Sequence, residues 1–118
     1  MANPIYFLVV WNISPGNETA FKRFAEQAIE RVKANEPGAL EYSWHFSGDM
    51  RTCYILESYI DSAAVLLHLE DVASIVEQLS QYATTSRFEV FGDVSSDAGA
   101  ALTKIGATIC GRWKGLKG

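Results

Sequence analysis

The residue of this sequence best suited to acid–base chemistry is His68, one of two histidines in the chain. Imidazole can gain or lose a proton near neutral pH, which few other side chains do. Val65, Leu69 and Val72 recur around His68 at helical spacing and form an apolar stripe beside it. This pattern predicts an imidazole at the border of an apolar cavity. The structural alternative is a histidine near a helix end, partly exposed or capping a carbonyl group.

A second group of candidates consists of aromatic side chains and one amide. Aromatic rings bury large surfaces and stack on planar ligands, so an excess of them is typical of a packed core or of a binding site. The hydroxyls of two tyrosines could orient a ligand oxygen, although they could equally bond to the backbone. An asparagine at the end of the first strand could also orient an oxygen. The candidate substrate-binding residues are Trp11, Asn12, Tyr42, Trp44 and Tyr59.

Other chemistries find little support in the sequence. His45 alternates with Trp44 along a strand and so points to the opposite face, where a role in the core or in an interface is expected. Two histidines without carboxylates at ligand spacing predict no metal site. No Gly-x-Gly-x-x-Gly, Walker or Gly-x-Ser-x-Gly motif is present, so no cofactor is expected. The two widely spaced cysteines favour a reducing compartment, the cytoplasm.

A hairpin followed by a helix must position these residues. Strands are predicted over 39–46 and 51–59, with turns at Pro37-Gly38 and Gly48-Asp49. Asp61 is a good N-cap for a short helix over 61–69 that carries His68. The acidic pair after this helix is interpreted as a break before another helix that ends near Leu79.

The rest of the chain completes a recognisable order of elements. An apolar strand over 5–13 precedes an amphipathic helix, and a strand over 84–94 precedes a short helix that Gly106 ends. Residues 107–113 are expected to form a short strand or an extended arm. The order β-α-β-β-α-β predicts an α+β, ferredoxin-like split βαβ fold with a four-stranded antiparallel sheet. One domain over 1–118 is expected, with a C-terminal helix and arm from about residue 96.

Composition limits the partners of this domain. With 48% hydrophobic and 20% charged residues, the chain is typical of a soluble globular protein. A net charge of −4 does not favour nucleic-acid binding, and the apolar N-terminal run is too short to span a membrane. Helices can cover only one face of the predicted sheet, yet several strands are apolar on both faces. This exposed patch predicts a homodimer with sheets packed face to face.

Several segments together resemble the antibiotic-biosynthesis monooxygenases and small quinol monooxygenases of the dimeric α/β-barrel superfamily. The resemblance covers nearly the whole chain, and its motifs mostly encode turns and core positions. It implies a ferredoxin-like homodimer that forms a dimeric α/β barrel. The segments are Ile-Ser-Pro-Gly at 13–16, Glu-Pro-Gly-Ala-Leu-Glu-Tyr at 36–42, Tyr-Ile-Leu-Glu-Ser-Tyr-Ile-Asp at 54–61, Ala-Ala at 63–64, His-Leu at 68–69, Phe-Gly-Asp-Val-Ser at 91–95 and Ile-Gly-Ala at 105–107.

The same resemblance implies a cofactor-independent monooxygenase that oxidises a small aromatic or quinol with O2. Such chemistry needs a base for the phenol, a dry aromatic cavity and hydrogen bonds to the oxyanion. Neutral His68 is expected to be the base, with the five candidates above lining the site. An isomerase on the same scaffold and a non-catalytic small-molecule binding module are the alternatives. Haem is not expected, because the positions of the haem-degrading relatives' asparagine, tryptophan and histidine are Val9, His68 and Gln78 here.

Overall fold

Eight elements follow one another in the predicted order, with a short strand added at the end. The computed structural model describes residues 3–117, so Met1, Ala2 and Gly118, at the ends of the predicted domain, lie outside the described residues. The elements are β1 (Ile5–Ile13), α1 (Glu18–Asn35), β2 (Ala39–Phe46), β3 (Thr52–Tyr59), α2 (Ser62–Leu79), β4 (Ala83–Phe91), α3 (Ser96–Lys104) and β5 (Thr108–Cys110). They form an α+β, ferredoxin-like fold.

The sheet has five strands in the order β2-β3-β1-β4-β5, which corrects the predicted four-stranded antiparallel sheet. The first four strands are antiparallel, and β5 runs parallel to β4 with Val90 opposite Ile109. Gly106, with a φ of 95°, ends α3 in the left-handed conformation and turns the chain back toward the sheet edge. Part of the predicted C-terminal arm therefore belongs to the sheet.

The second helix is continuous, so the predicted break at Glu70 and Asp71 is wrong. The carboxylate of Asp61 accepts a hydrogen bond from the amide of Ala64 at 2.9 Å and caps the N-terminus as expected. Both acidic residues have a backbone N–H, so the helical hydrogen bonds can continue through them. The buried positions also keep helical spacing across this segment. As a result, His68 lies inside an 18-residue helix and not at a helix end.

The two faces of the sheet differ in what covers them. Alternate residues of β1, from Ile5 to Ile13, are buried against the helices. The opposite face carries Tyr6, Tyr54 and Leu56, which are 49%, 43% and 47% exposed. Neither α1 nor α2 covers this apolar outer face. Within residues 3–117, no helix combines the length and hydropathy needed to cross a membrane.

Candidate active site

A cavity of about 640 Å³ lies between the inner face of the sheet and the helices. Its volume is in the range of pockets for small ligands, and most of its wall is apolar or aromatic. Glu57 lines the cavity from the sheet, and His68 lines it from α2. The C-terminal part of the chain also contributes, with the wall residues Ala101, Lys104, Ile105 and Gly106.

The imidazole of His68 lies between two buried carboxylates. Its Nδ1 is 2.9 Å from Oε1 of Glu36, and its Nε2 is 3.2 Å from Oε1 of Glu57. The three side chains are at most 5% exposed. Glu36 follows the last turn of α1 and Glu57 lies on β3, so three separate elements meet at this cluster.

Tyr59 completes the cluster from the same face of β3. Its hydroxyl donates to Oε1 of Glu57 at 2.6 Å, so this oxygen interacts with both Tyr59 and His68. Among residues 3–117, no hydrogen bond engages the other oxygen of Glu57, Oε2. Glu57 therefore lines the cavity with one oxygen fixed and one oxygen available to a ligand.

The electrostatic surroundings keep His68 protonated. Burial by itself lowers the pKa of an imidazole, but hydrogen bonds and charge interactions with Glu36 and Glu57 outweigh it and raise the pKa of His68 to about 9. At neutral pH the side chain is an imidazolium whose Nδ1 donates to Glu36 and whose Nε2 forms an ion pair with Glu57. This charge differs from the neutral imidazole expected of a base, because the sequence did not reveal the two carboxylates beside His68.

Two tyrosines next to the imidazolium stay protonated as well. Burial raises the pKa of both Tyr42 and Tyr59, and the negative charge of Glu57 raises it further. Their rings lie 5.1 Å and 4.9 Å from the His68 ring, measured between centroids. Both phenols are hydrogen-bond donors throughout the physiological pH range.

The predicted substrate-binding residues divide into two groups. Trp11, Tyr42 and Trp44 line the cavity. Tyr59 is fully buried behind Glu57 and is not part of the cavity wall, while Asn12 is exposed because alternation along β1 turns it away from the inward-facing Trp11. The structure therefore brings neither Tyr59 nor Asn12 to a ligand in this cavity.

His45 lies outside the cavity on β2, as the alternation with Trp44 predicts. It is exposed, and its Nε2 is 2.9 Å from the hydroxyl oxygen of Ser43. It has no contact with the buried cluster around His68.

Sequence reasoning missed both carboxylates of the cluster. Glu57 could have been found, because it shares a strand face with Cys53, Ile55 and Tyr59, all of them buried. Glu36 carried no such signal, since it stands in a turn 32 residues from His68. His68 has no carboxylate at ligand spacing along the sequence, but two carboxylates contact it in the folded protein. Even so, no group of three or more potential ligands within residues 3–117 has the geometry to hold a metal ion.

Comparison with known proteins places this chain in a family. The sequence model described as antibiotic biosynthesis monooxygenase matches residues 4–74, which is more than half of the chain and includes the whole cluster. The chain belongs to the antibiotic biosynthesis monooxygenase family. No curated protein matches this family member at a significant level.

Solved structures support the same fold for this family member. MupZ from Pseudomonas fluorescens is 21% identical with a TM-score of 0.82, over 97% of this chain and 93% of MupZ. A proposed antibiotic biosynthesis monooxygenase from Caulobacter crescentus is 20% identical with a TM-score of 0.69, over 75% of this chain and 88% of its own. Another from Nitrosomonas europaea is 15% identical with a TM-score of 0.69, over 81% and 95%. At these identities the likeness establishes the fold alone.

Proposed function

We propose that this protein is a cofactor-independent monooxygenase that oxidises a small aromatic or quinol substrate with O2, with Glu57 as the catalytic base. The observation that carries the proposal is the asymmetry of the Glu57 carboxylate. Tyr59 and His68 hold Oε1, whereas Oε2 is without a hydrogen bond on a residue that lines the cavity. A fixed carboxylate in an apolar cavity is a suitable base for a phenolic proton.

The reaction begins when Glu57 takes the proton of a substrate hydroxyl. The resulting phenolate is electron-rich enough to pass one electron to O2, and the two radicals then combine at a ring carbon. Loss of water from that adduct gives a quinone, so that one phenol and one O2 yield one quinone and one water. The protein's part is to accept the first proton, to exclude bulk water and to stabilise the oxyanion.

Two donors near Glu57 suit the oxyanion that forms. The first is the hydroxyl of Tyr42, which remains protonated on a residue of the cavity wall. The imidazolium of His68 adds a positive charge close to the phenolate. In this proposal His68 positions Glu57 and stabilises charge, and it is not the base.

Glu57→Gln tests the proposal on a panel of quinols and naphthols by oxygen consumption. The amide keeps the shape of the side chain but cannot accept the proton, so kcat/KM should fall about 10²- to 10⁴-fold. Glu41→Gln is the matched control, because it removes an exposed carboxylate from the adjacent strand β2. Turnover by Glu57→Gln at the wild-type rate would refute Glu57 as the base.

A second candidate function is isomerisation by proton transfer without O2. It is favoured by the direct contact between an imidazolium, which can donate a proton, and a carboxylate, which can accept one. An isomerase would convert its substrate anaerobically and would exchange a substrate hydrogen with solvent deuterium. A strict requirement for O2 would exclude the isomerase and favour the monooxygenase.

The non-catalytic binding module is the weakest of the three candidates. Such a module predicts a cavity that is filled by side chains or that lacks a convergent polar group. The open cavity of about 640 Å³, with Glu57 and His68 in its wall, speaks against both conditions.

We also propose that the protein is a homodimer formed through the outer face of the sheet. The support is the apolar character of that face, where Tyr6, Tyr54, Leu56 and Phe91 are each at least 39% exposed. A two-fold axis would cover the same patch on both copies.

A further inference from the structure

A third acidic residue, Asp71, lies behind His68 on the side away from Glu57. His68 and Asp71 are three residues apart on α2 and therefore share one side of the helix. Oε1 of Glu36 contacts His68, whereas Oε2 of Glu36 and Oδ2 of Asp71 are both buried without a hydrogen-bond partner. The two carboxyl groups are close enough for a hydrogen bond between their side chains.

Within the described residues, 3–117, the carboxylate of Asp71 accepts a hydrogen bond only at Oδ1, on its outer side. The side-chain amide of Asn35 donates to Oδ1 of Asp71 at 3.0 Å, and the guanidinium of Arg31 donates to the backbone carbonyl of Asp71 at 3.2 Å. Neither donor satisfies Oδ2. Two adjacent carboxylate oxygens without a donor between them repel each other, and burial strengthens this repulsion.

The charge balance of the cluster favours one retained proton. Glu36, Glu57 and Asp71 would carry three negative charges if all were ionised, against the single positive charge of His68. The other titratable or charged groups around Glu36 and Asp71 are Tyr42 and Tyr59, which stay neutral, and Arg31 at the surface. Burial raises the pKa of Glu36, its hydrogen bond to His68 lowers it, and Asp71 raises it again, with a net increase.

We propose that Glu36 and Asp71 hold a single proton between Oε2 of Glu36 and Oδ2 of Asp71, and that this pair positions the imidazolium of His68 against Glu57. Each orphaned oxygen then has a partner, because one carboxyl group donates and the other accepts. Glu36 and Asp71 are positioning residues, since they act on the reaction only through His68. The inference rests on the proposed function for the catalytic role of Glu57, but the shared proton itself does not depend on any substrate.

The shared proton can exchange with solvent at the junction of α1 and α2. The contact between Asn35 and Asp71 is exposed, so the outer end of the pair is next to water while the inner end contacts His68. A change of charge at Glu57 during turnover can therefore be balanced by proton exchange at this outer end, without water entering the cavity.

Carbon-13 NMR of the glutamate and aspartate carboxyl groups tests the shared proton on the free protein. In wild type, the pair Glu36 and Asp71 should bind one proton at neutral pH. Asp71→Asn should abolish it, because the introduced amide donates to Oε2 of Glu36 and allows that carboxyl to ionise. Glu70→Gln is the matched control: it removes the neighbouring exposed carboxylate of α2 and should leave the bound proton in place. Two ionised carboxylates in wild type, or a proton retained on Glu36 in Asp71→Asn, would overturn the inference.

Nitrogen-15 NMR of the His68 ring tests the positioning role with a second variant. Glu36→Gln removes the carboxylate next to Nδ1, so the pKa of His68 should fall toward its ordinary value. An unchanged pKa of His68 in Glu36→Gln would refute the positioning role. These measurements need no substrate, whereas Glu57→Gln is judged by turnover. If wild type lacks the shared proton and Glu57→Gln is inactive, only this inference is rejected. If wild type has the shared proton and Glu57→Gln is active, only the proposed function is rejected.

Discussion

The stability of the protein should depend on pH through His68. Its pKa is about 9 in the folded state against 6.5 for an ordinary histidine, so the folded protein holds its proton more tightly than the unfolded chain does. The stabilisation is complete below pH 6.5 and is lost as pH rises through about 9. At 1.36 kcal/mol per pKa unit, this difference corresponds to a loss of about 3 kcal/mol in the free energy of unfolding.

Urea unfolding at a series of pH values measures this loss, provided that the transition is two-state at each pH. The series should end near pH 9.0, which is the ordinary pKa of a cysteine thiol. Burial raises the pKa of Cys53 to about 12, so above pH 9.0 this thiol ionises in the unfolded chain first and lowers the free energy of unfolding further. His45→Gln is the control, since this exposed histidine has no carboxylate partner among the described residues and its removal should not alter the pH dependence.

Glu57→Gln provides the internal test of the cause. This variant removes one of the two carboxylates that raise the pKa of His68, so the loss of stability should begin at lower pH and be smaller than in wild type. A free energy of unfolding that is constant between pH 6.5 and 9 in wild type would refute the assignment of His68 as a buried imidazolium.

Further predictions concern the hydroxyl at Tyr59, the outer face of the sheet and the turn before β2. Tyr59→Phe should lower kcat more than it changes KM, because it removes the 2.6 Å hydrogen bond that fixes the base without altering the cavity wall. Leu56→Lys should convert a dimer to a monomer in light scattering, whereas Leu67→Lys, a similarly exposed leucine on α2, should not. Gly38→Ala should lower the free energy of unfolding in urea by about 1–3 kcal/mol, because the added Cβ would lie 2.7 Å from a methyl group of α2. Gly48→Ala is the control, because a Cβ there meets no atom within 4 Å.

Each of these predictions has an outcome that would contradict it. A Tyr59→Phe enzyme with raised KM and unchanged kcat would indicate that the hydroxyl contacts substrate. Dimers that persist in Leu56→Lys, or are lost equally in Leu67→Lys, would exclude the outer sheet face as the specific interface. Equal stability of the two glycine variants would show that the chain around Gly38 relaxes without cost.

The order of elements could be predicted because its signals are local. The turn at Pro37-Gly38 and the Asp61 cap lie within a few residues of the boundaries that they mark. Gly38 illustrates a limit of this reasoning, since its place in a predicted turn does not reveal why the chain needs a glycine there. Its actual role is to let the chain pass close to α2. Local signals also failed at Glu70 and Asp71, where charge was mistaken for a helix end although the apolar spacing continued.

The candidate site could be predicted only in part. His68 and the aromatic wall followed from apolar periodicity, which identifies the residues that face inward. The protonation state of His68 did not, because it depends on a carboxylate 32 residues away along the chain and on another from β3. Similarly, the fifth strand depends on pairing between β4 and a three-residue segment that is too short to show a period.

The wall of the cavity comes from two parts of the chain. The match to the family model ends at residue 74, and it contains the whole buried cluster around His68. The wall formed by Ala101, Lys104, Ile105 and Gly106 comes from later in the chain, in a segment that β5 ties to the sheet edge. Substitutions or length changes in this segment can reshape the cavity without disturbing the buried cluster around His68.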